Sequence, residues 1–246
     1  MKENIKKFEI LFNTIKNRGF IESQRSSHTG IGKTFEDACG IIENNIDLPD
    51  FEGIEIKSHR SLSSSYITLF TKAPTNPKGI NNVLRERYGS IDLKHGTKVL
   101  HTSCFHSKFN SHKAGYNYKL DINEKKDQID LIIKNSLTEE IENSEIYWSF
   151  LDIQTILEKK LKYIAYVEAE TKKEKNKEFF RFSNCLIISG LTFLKFIELL
   201  RNDKIMFDIR IGTYNSGKNY GKTHDHGSGF RIKRISVETE LDILRL

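Results

Sequence analysis

Two hydrophobic periods alternate along this chain, and their alternation restricts the fold more than any single motif does. Near the N-terminus Ile5, Phe8, Leu11, Phe12 and Ile15 recur at the spacing of one helix face, and Gly19 stands where a C-cap would. A polar stretch over 22–32 leads to a second helix from about Thr34, with Phe35, Cys39 and Ile42 on its buried side. The period then drops to two. Strands are predicted over 53–58 and 66–72, a turn over 73–77 follows, and 80–88 reads as a short helix. Residues 98–109, 116–122 and 128–133 form strands, 152–160 is helical, 162–169 is a buried strand and 193–200 a strongly apolar helix. Two alternating strands, 205–211 and 230–235, complete the pattern. A chain that switches repeatedly between these periods lays helices on sheets, an α/β or α+β architecture. Its 246 residues suffice for one large core or two lobes; we expect a first lobe over 1–110 and a second over 111–246.

Composition narrows the partners. The net charge of +6 fits a nucleic-acid partner, although many cytosolic proteins share it. Cys39, Cys104 and Cys185 are odd in number and widely separated, so neither a zinc ribbon nor a disulfide framework is encoded. The start, Met1-Lys2-Glu3-Asn4-Ile5-Lys6-Lys7, has no apolar core of a signal peptide, and no apolar run approaches the ~18 residues of a membrane span. The expectation is a cytoplasmic protein without a membrane partner.

The segment that concentrates chemistry is Pro49-Asp50-Phe51-Glu52-Gly53-Ile54-Glu55-Ile56-Lys57. Strand side chains alternate between faces, so Glu55 and Lys57 share one face while Ile54 and Ile56 take the other. Asp50, just past a turn, can fold back toward Glu55. Two acids and a lysine converging on one point suit metal-assisted phosphodiester hydrolysis. The acids hold Mg²⁺, and the lysine orients water or steadies developing charge. The bland alternative is the wet face of an edge strand, which a chain with 29% charged residues often produces. Glu36, on the preceding helix, is either an ordinary first-turn acid or a third acid near that site.

Other motifs carry less. Gly30-Ile31-Gly32-Lys33-Thr34 ends like a phosphate-binding P-loop, but Ser27 stands where the motif needs glycine and no buried strand precedes it. An NTPase is excluded, and Lys33 with nearby amide groups could at most meet a DNA phosphate. His95, His101, His106 and His112 lack close metal-ligand spacing and read as structural or solvent-facing. His224 and His226 could bind zinc from one strand face, but no third ligand is evident. The segment Lys172-Lys173-Glu174-Lys175-Asn176-Lys177-Glu178 reads as a solvated hairpin tip.

A long insertion over 212–229, rich in Gly, Asn, Tyr, His and Lys, separates the last two strands. Such residues let backbone approach DNA and exchange hydrogen bonds in a groove. Asp208 and Arg210 share a face of the entering strand, and Arg231 opens the leaving one. Arginine reads guanine through two hydrogen bonds and aspartate accepts from cytosine, so this flank suits G·C pairs. An Asp–Arg ion pair on a hairpin surface is the competing reading.

Glu36, the Asp50…Glu55-Ile56-Lys57 motif and the late polar loop together resemble the PD-(D/E)xK nucleases, more narrowly the MvaI/BcnI family of type II restriction endonucleases, relatives of the mismatch-repair nickase MutH. The likeness covers most of the chain. It implies an α/β fold with a mixed central sheet flanked by helices, in two lobes around a DNA cleft. It also implies a monomeric, sequence-specific double-stranded DNA endonuclease that nicks one strand and then the other at a CC-W-GG or CC-S-GG site. Carried over residue by residue, Glu36, Asp50, Glu55 and Lys57 are catalytic, and Asp50, Glu55 and Ile56 hold one or two Mg²⁺ ions. Asp208, Arg210, Tyr214, His224, His226 and Arg231 contact DNA. The spacing between Asp50 and Glu55 is shorter than in MutH, which leaves Asp47 or Glu52 as substitute acids. A cognate DNA methyltransferase is expected in the same cell, without contact. A MutH-like nickase and a non-catalytic DNA-binding protein remain the alternatives.

Overall fold

The computed structural model describes residues 1–25, 29–41, 48–61 and 66–246. Its elements begin with α1 (Lys2–Lys16), β1 (Ile21–Glu22), α2 (Gly30–Ala38), β2 (Glu55–Arg60), β3 (Tyr66–Thr71) and α3 (Asn81–Tyr88). There follow β4 (Ser90–Asp92), β5 (Thr97–Cys104), β6 (Asn110–His112), β7 (Tyr116–Asn123), β8 (Gln128–Asn135), β9 (Ile141–Ser149) and α4 (Phe150–Lys160). The remainder is β10 (Tyr163–Glu174), β11 (Lys177–Ser189), α5 (Phe193–Arg201), β12 (Ile205–Thr213), β13 (Thr223–Asp225), β14 (Gly229–Lys233), α6 (Arg234–Glu240) and β15 (Asp242–Arg245). The expected mixed α/β class is the one observed.

These elements group into two compact units that interleave in sequence. One combines Met1–Ser65, Ile156–Thr192 and Val237–Leu246, the other Tyr66–Thr155 and Phe193–Ser236. The sequence reading placed a single cut near residue 110, because period and composition carry no record of which distant segments pair.

In the first unit the strands lie in the order β1-β11-β10-β2, with β15 beside β11. Strand β2 runs parallel to β10, and the other pairings are antiparallel. One sheet face is apolar: Ile56 of β2, Ala165, Val167 and Ala169 of β10, and Phe180, Phe182, Cys185 and Ile187 of β11. Helix α1 brings Phe8, Phe12 and Ile15 to this core, and α2 brings Ile31 and Phe35. Phe35 meets Phe182 edge-on at 4.8 Å. Each fully buried Phe contributes about 1.5–3 kcal/mol, so the two helices are fixed on this face, and Glu55, Lys57 and Glu168 stand on the opposite one beside Ile164 and Tyr166.

The second unit holds a sheet ordered β3-β14-β12-β5-β4, with β13 on β12, and a four-stranded meander, β6-β7-β8-β9. The odd positions of β12, Ile205, Phe207, Ile209 and Ile211, are all buried. Phe207 packs against Trp148 at 4.3 Å and Phe230 at 5.0 Å, while Phe196 of α5 meets Phe230 at 5.3 Å. The even positions Asp208, Arg210 and Gly212 therefore point to the other face.

The short strands β1, β4, β6, β13 and β15 escaped the sequence reading, and so did three longer elements. Strand β9 exposes most of its first half and shows no clean alternation. Strand β11 follows the hairpin tip directly, through Lys175 and Asn176 with φ of 47° and 65°. Helix α6 replaces the end of the strand predicted over 230–235. The second helix starts at Gly30 instead of Thr34; Ile42, assigned to its buried side, lies outside the described residues. The 212–229 insertion is also not structureless. Strand β13 pairs back onto the end of β12, and the connection is held by Tyr214 N–H to Lys222 O at 3.0 Å and Gly221 N–H to Tyr214 O at 2.9 Å.

Candidate functional site

Local turn chemistry builds the acidic site in the first unit. Phe51 and Ile54 exchange backbone hydrogen bonds of 3.0 and 2.7 Å across Glu52 and Gly53. Those two central residues have φ of 42° and 90°, the paired positive values of a two-residue type I′ hairpin turn, which favours glycine at its second position. The turn reverses the chain so that Asp50 comes alongside the start of β2. Its Oδ2 accepts a 2.8 Å hydrogen bond from the Ile56 N–H. Strand β2 lies at the sheet edge and β10 occupies its other side, so this N–H points outward, and the Ile56 carbonyl points the same way. Helix α1 pins the turn from outside: Asn4 donates to the Glu52 carbonyl at 2.8 Å, and Lys7 pairs with the Glu52 carboxylate at 3.3 Å. That pairing commits Glu52 to the surface. Asp47, the other substitute acid, lies outside the described residues.

Glu55 and Lys57 stand on the sheet face opposite the apolar core, and their ion pair is 2.6 Å long. The Glu55 side chain is only 8% exposed. Its Oε1 takes the lysine, while Oε2 is buried and accepts no hydrogen bond among the described residues. A carboxylate oxygen without a partner in a buried setting is costly, and a cation relieves that cost. Among the described residues no three His, Cys, Asp or Glu side chains converge as a metal cluster. A cation here would draw on two carboxylates and one carbonyl, with water and phosphate filling the remaining positions. That is the habit of Mg²⁺. Glu36 belongs to α2, which packs on β2. Burial, with the Glu36 and Asp50 charges nearby, pushes the Cys39 thiol up to about 12 against an opposing pull from Arg18. Cys39 is thus no nucleophile at neutral pH, and the charges of Glu36 and Asp50 both act on it.

The parallel register adds residues that the sequence did not assign. Ile164 lies opposite Glu55, Tyr166 opposite Lys57 and Glu168 opposite His59. The His59 and Tyr166 rings are 5.4 Å apart, and Glu168, also buried, accepts from Asn184 at 3.5 Å. The available signal was an acid, Glu168, inside an otherwise apolar strand. Only the β2–β10 pairing sets it on the same face as Lys57.

The second unit carries a separate polar surface. Asp208 Oδ2 lies 3.0 Å from Arg210 Nε and 2.9 Å from Arg231 Nε, and its Oδ1 accepts from Ser103 at 3.3 Å. The two arginines differ. Arg231 is 11% exposed and also donates to Thr68 Oγ1 and, at 3.2 Å, to the Gly227 carbonyl, whereas Arg210 is 47% exposed. Tyr214 stacks on His224 at 4.5 Å, and His226 meets His224 edge-on at 4.8 Å. Asp225 anchors the strand end by accepting from the N–H groups of Gly227 and Ser228 at 2.9 and 2.7 Å and from the Asn81 amide at 2.7 Å. Asp208, Arg210, Tyr214, His224, His226 and Arg231 are thereby gathered on one unit, and Glu36, Asp50, Glu55, Ile56 and Lys57 on the other.

Comparison with known proteins gives the context. The model of the MvaI/BcnI restriction endonuclease family matches residues 10–239. A solved complex of restriction endonuclease MvaI with cognate DNA is 37% identical, with a TM-score of 0.92, covering 100% of this chain and 99% of the other. MvaI in the absence of DNA, also 37% identical, superposes with a TM-score of 0.61, covering 100% and 98%. No curated protein sequence matches the chain.

Proposed function

The chain belongs to the MvaI/BcnI restriction endonuclease family, and from that premise we propose that it is a Mg²⁺-dependent enzyme that cuts both strands of a G·C-rich pseudopalindrome, CC-W-GG, as a monomer by sequential nicking. As a member it is a type II site-specific deoxyribonuclease that hydrolyses DNA phosphodiester bonds. The observation that carries the metal reading is the buried Oε2 of Glu55, unpartnered among the described residues, beside Lys57 and the tethered Asp50.

In this reading the Asp50 and Glu55 carboxylates and the Ile56 carbonyl hold the cation. Bound there, it supplies Lewis acidity to the scissile phosphate and lowers the cost of generating the attacking oxygen. The protein's part is arrangement. Lys57 Nζ, held by Glu55 at 2.6 Å, orients the attacking water through its donors and offsets charge that grows on the phosphate oxygens. Glu36 supplies a further acid from α2, the helix that packs on β2. The water displaces the 3′ oxygen in line, which leaves 5′-phosphate and 3′-hydroxyl ends. On the second unit, Asp208, Arg210, Tyr214, His224, His226 and Arg231 contact the bases. Arginine donors suit guanine O6 and N7, and the aspartate accepts from cytosine N4. A cytoplasmic location and a cognate methyltransferase in the same cell complete the proposal.

Supercoiled plasmid incubated with the protein in Mg²⁺ or EDTA, beside a Glu55→Gln variant, tests it. Linear fragments with one common end sequence are expected only for wild type in Mg²⁺. Cleavage that survives EDTA or the variant would overturn the mechanism. Arrest at the nicked circle under excess enzyme would overturn double-strand cutting.

A further inference from the structure

We propose that His101 is an additional base-reading residue, acting beside Arg210 and His226 on the polar face of the second unit. The inference rests on the DNA-reading role given to that face above. His101 lies on β5, directly opposite Arg210 of β12. Residues directly opposite on antiparallel strands project to the same face, so the imidazole joins Arg210 and Asp208 instead of the core beneath. Ser103, two residues along β5, shares that face and bonds Asp208.

Gly212 explains how His101 and His226 come together. A Cβ at this position would lie 2.9 Å from His101 Nε2, 2.9 Å from His226 Cδ2 and 3.0 Å from His226 Nε2. A side chain here would push both rings aside, so the two imidazoles occupy the space that glycine leaves. The main chain sets His226 from the other side, through its N–H to the Arg210 carbonyl at 2.8 Å. His101, Arg210 and His226 thus meet around one residue of β12, on one surface and next to the Tyr214–His224 stack.

The surroundings also decide what the ring would read. Burial, then the charges of His226 and Arg210, hold the His101 pKa below its usual value; Lys113 adds to this and Asp208 opposes it. A neutral imidazole presents one donor and one acceptor. That combination matches the mixed donor and acceptor edge of a base pair in the major groove. A phosphate would instead select a cation, which this crowd of positive groups resists.

The test uses wild type, His101→Ala and Gly212→Ala on duplexes carrying the site that wild type cuts and every single-base variant of it. Thermal melting checks that each protein is folded. His101→Ala should lose about tenfold to a hundredfold of discrimination at one base-pair position while keeping its preference elsewhere. Gly212→Ala, which retains both rings but displaces them, should lose discrimination at the same position. A uniform loss on all duplexes, with a salt dependence reduced by about one phosphate contact, would overturn the inference in favour of backbone contact. Unchanged discrimination at every position would overturn it outright. Failure of wild type to cut any duplex would instead sink the nuclease reading.

Discussion

Asp50 performs two separable tasks, and two substitutions divide them. Its Oδ2 accepts the Ile56 N–H at 2.8 Å, which ties the type I′ turn to the edge of β2. In the proposed mechanism the same carboxylate also holds the cation. Asp50→Ala removes both functions. A hydrogen bond to a charged acceptor contributes about 1.5–3 kcal/mol. For a chain of this size each kcal/mol moves Tm by roughly 2–4 °C, so the alanine variant should melt about 3–12 °C lower. Asp50→Asn keeps a carbonyl oxygen where Oδ2 stood and loses only the charge. The remaining neutral bond contributes about 0.5–1.5 kcal/mol, and the melting point should fall by only a few degrees. Activity should not follow stability. Loss of a charged ligand removes several kcal/mol of transition-state stabilisation, so both variants should cut at least about a thousandfold more slowly. Single-turnover cleavage of a labelled duplex in Mg²⁺, with calorimetric melting of the same preparations, reads both quantities. An Asn variant that cuts within about tenfold of wild type would refute the assignment of Asp50 to the metal.

Three further outcomes follow from the geometry. Gly53→Ala places a side chain at φ 90°, at a cost of about 1–2 kcal/mol, and displaces Asp50; melting should drop by several degrees and cleavage by about tenfold to a hundredfold, and unchanged cleavage would argue against the turn as the positioning device. Arg231→Ala should destabilise by about 2–3 kcal/mol, because it strips partners from Asp208, Thr68 and the Gly227 carbonyl. The half-exposed Arg210 should cost under about 1 kcal/mol when truncated yet reduce cleavage strongly, and equal melting losses for the two would contradict the division. Burial lowers the pKa of both His101 and His112 below 6.5, helped for His112 by Lys113 and His101. Their folded-state values lie below the unfolded ones, so the stability they contribute is complete above pH 6.5 and is lost as pH falls through the folded values. Melting from about pH 8 to 5 should show a decline beginning near 6.5 that is smaller in a His101→Asn/His112→Asn variant; an identical slope would refute the attribution.

Period-two geometry is local, and what depends on it was legible. The sequence by itself determined that Glu55 and Lys57 share a face opposite Ile56, and that Asp208 and Arg210 oppose the apolar positions of β12. The tight turn at Glu52-Gly53 that returns Asp50 to β2 was missed: the sequence reading turns the chain before Asp50 and starts the strand at Gly53, because the positive φ of both turn residues shows only in the backbone. Other features required partners far along the chain. Tyr166 and Glu168 reach the Lys57 face only through the parallel register of β2 and β10, more than a hundred residues apart in sequence. His101 reaches Arg210 and His226 only because β5 pairs with β12 and Gly212 leaves room for both rings. Such registers follow from the packing of whole apolar faces, Phe8, Phe12 and Phe35 in one unit and Phe207, Phe230 and Trp148 in the other. A one-residue slip would turn each polar set into its core. The tertiary structure therefore decided which side chains meet, while the sequence had already fixed the face each one presents.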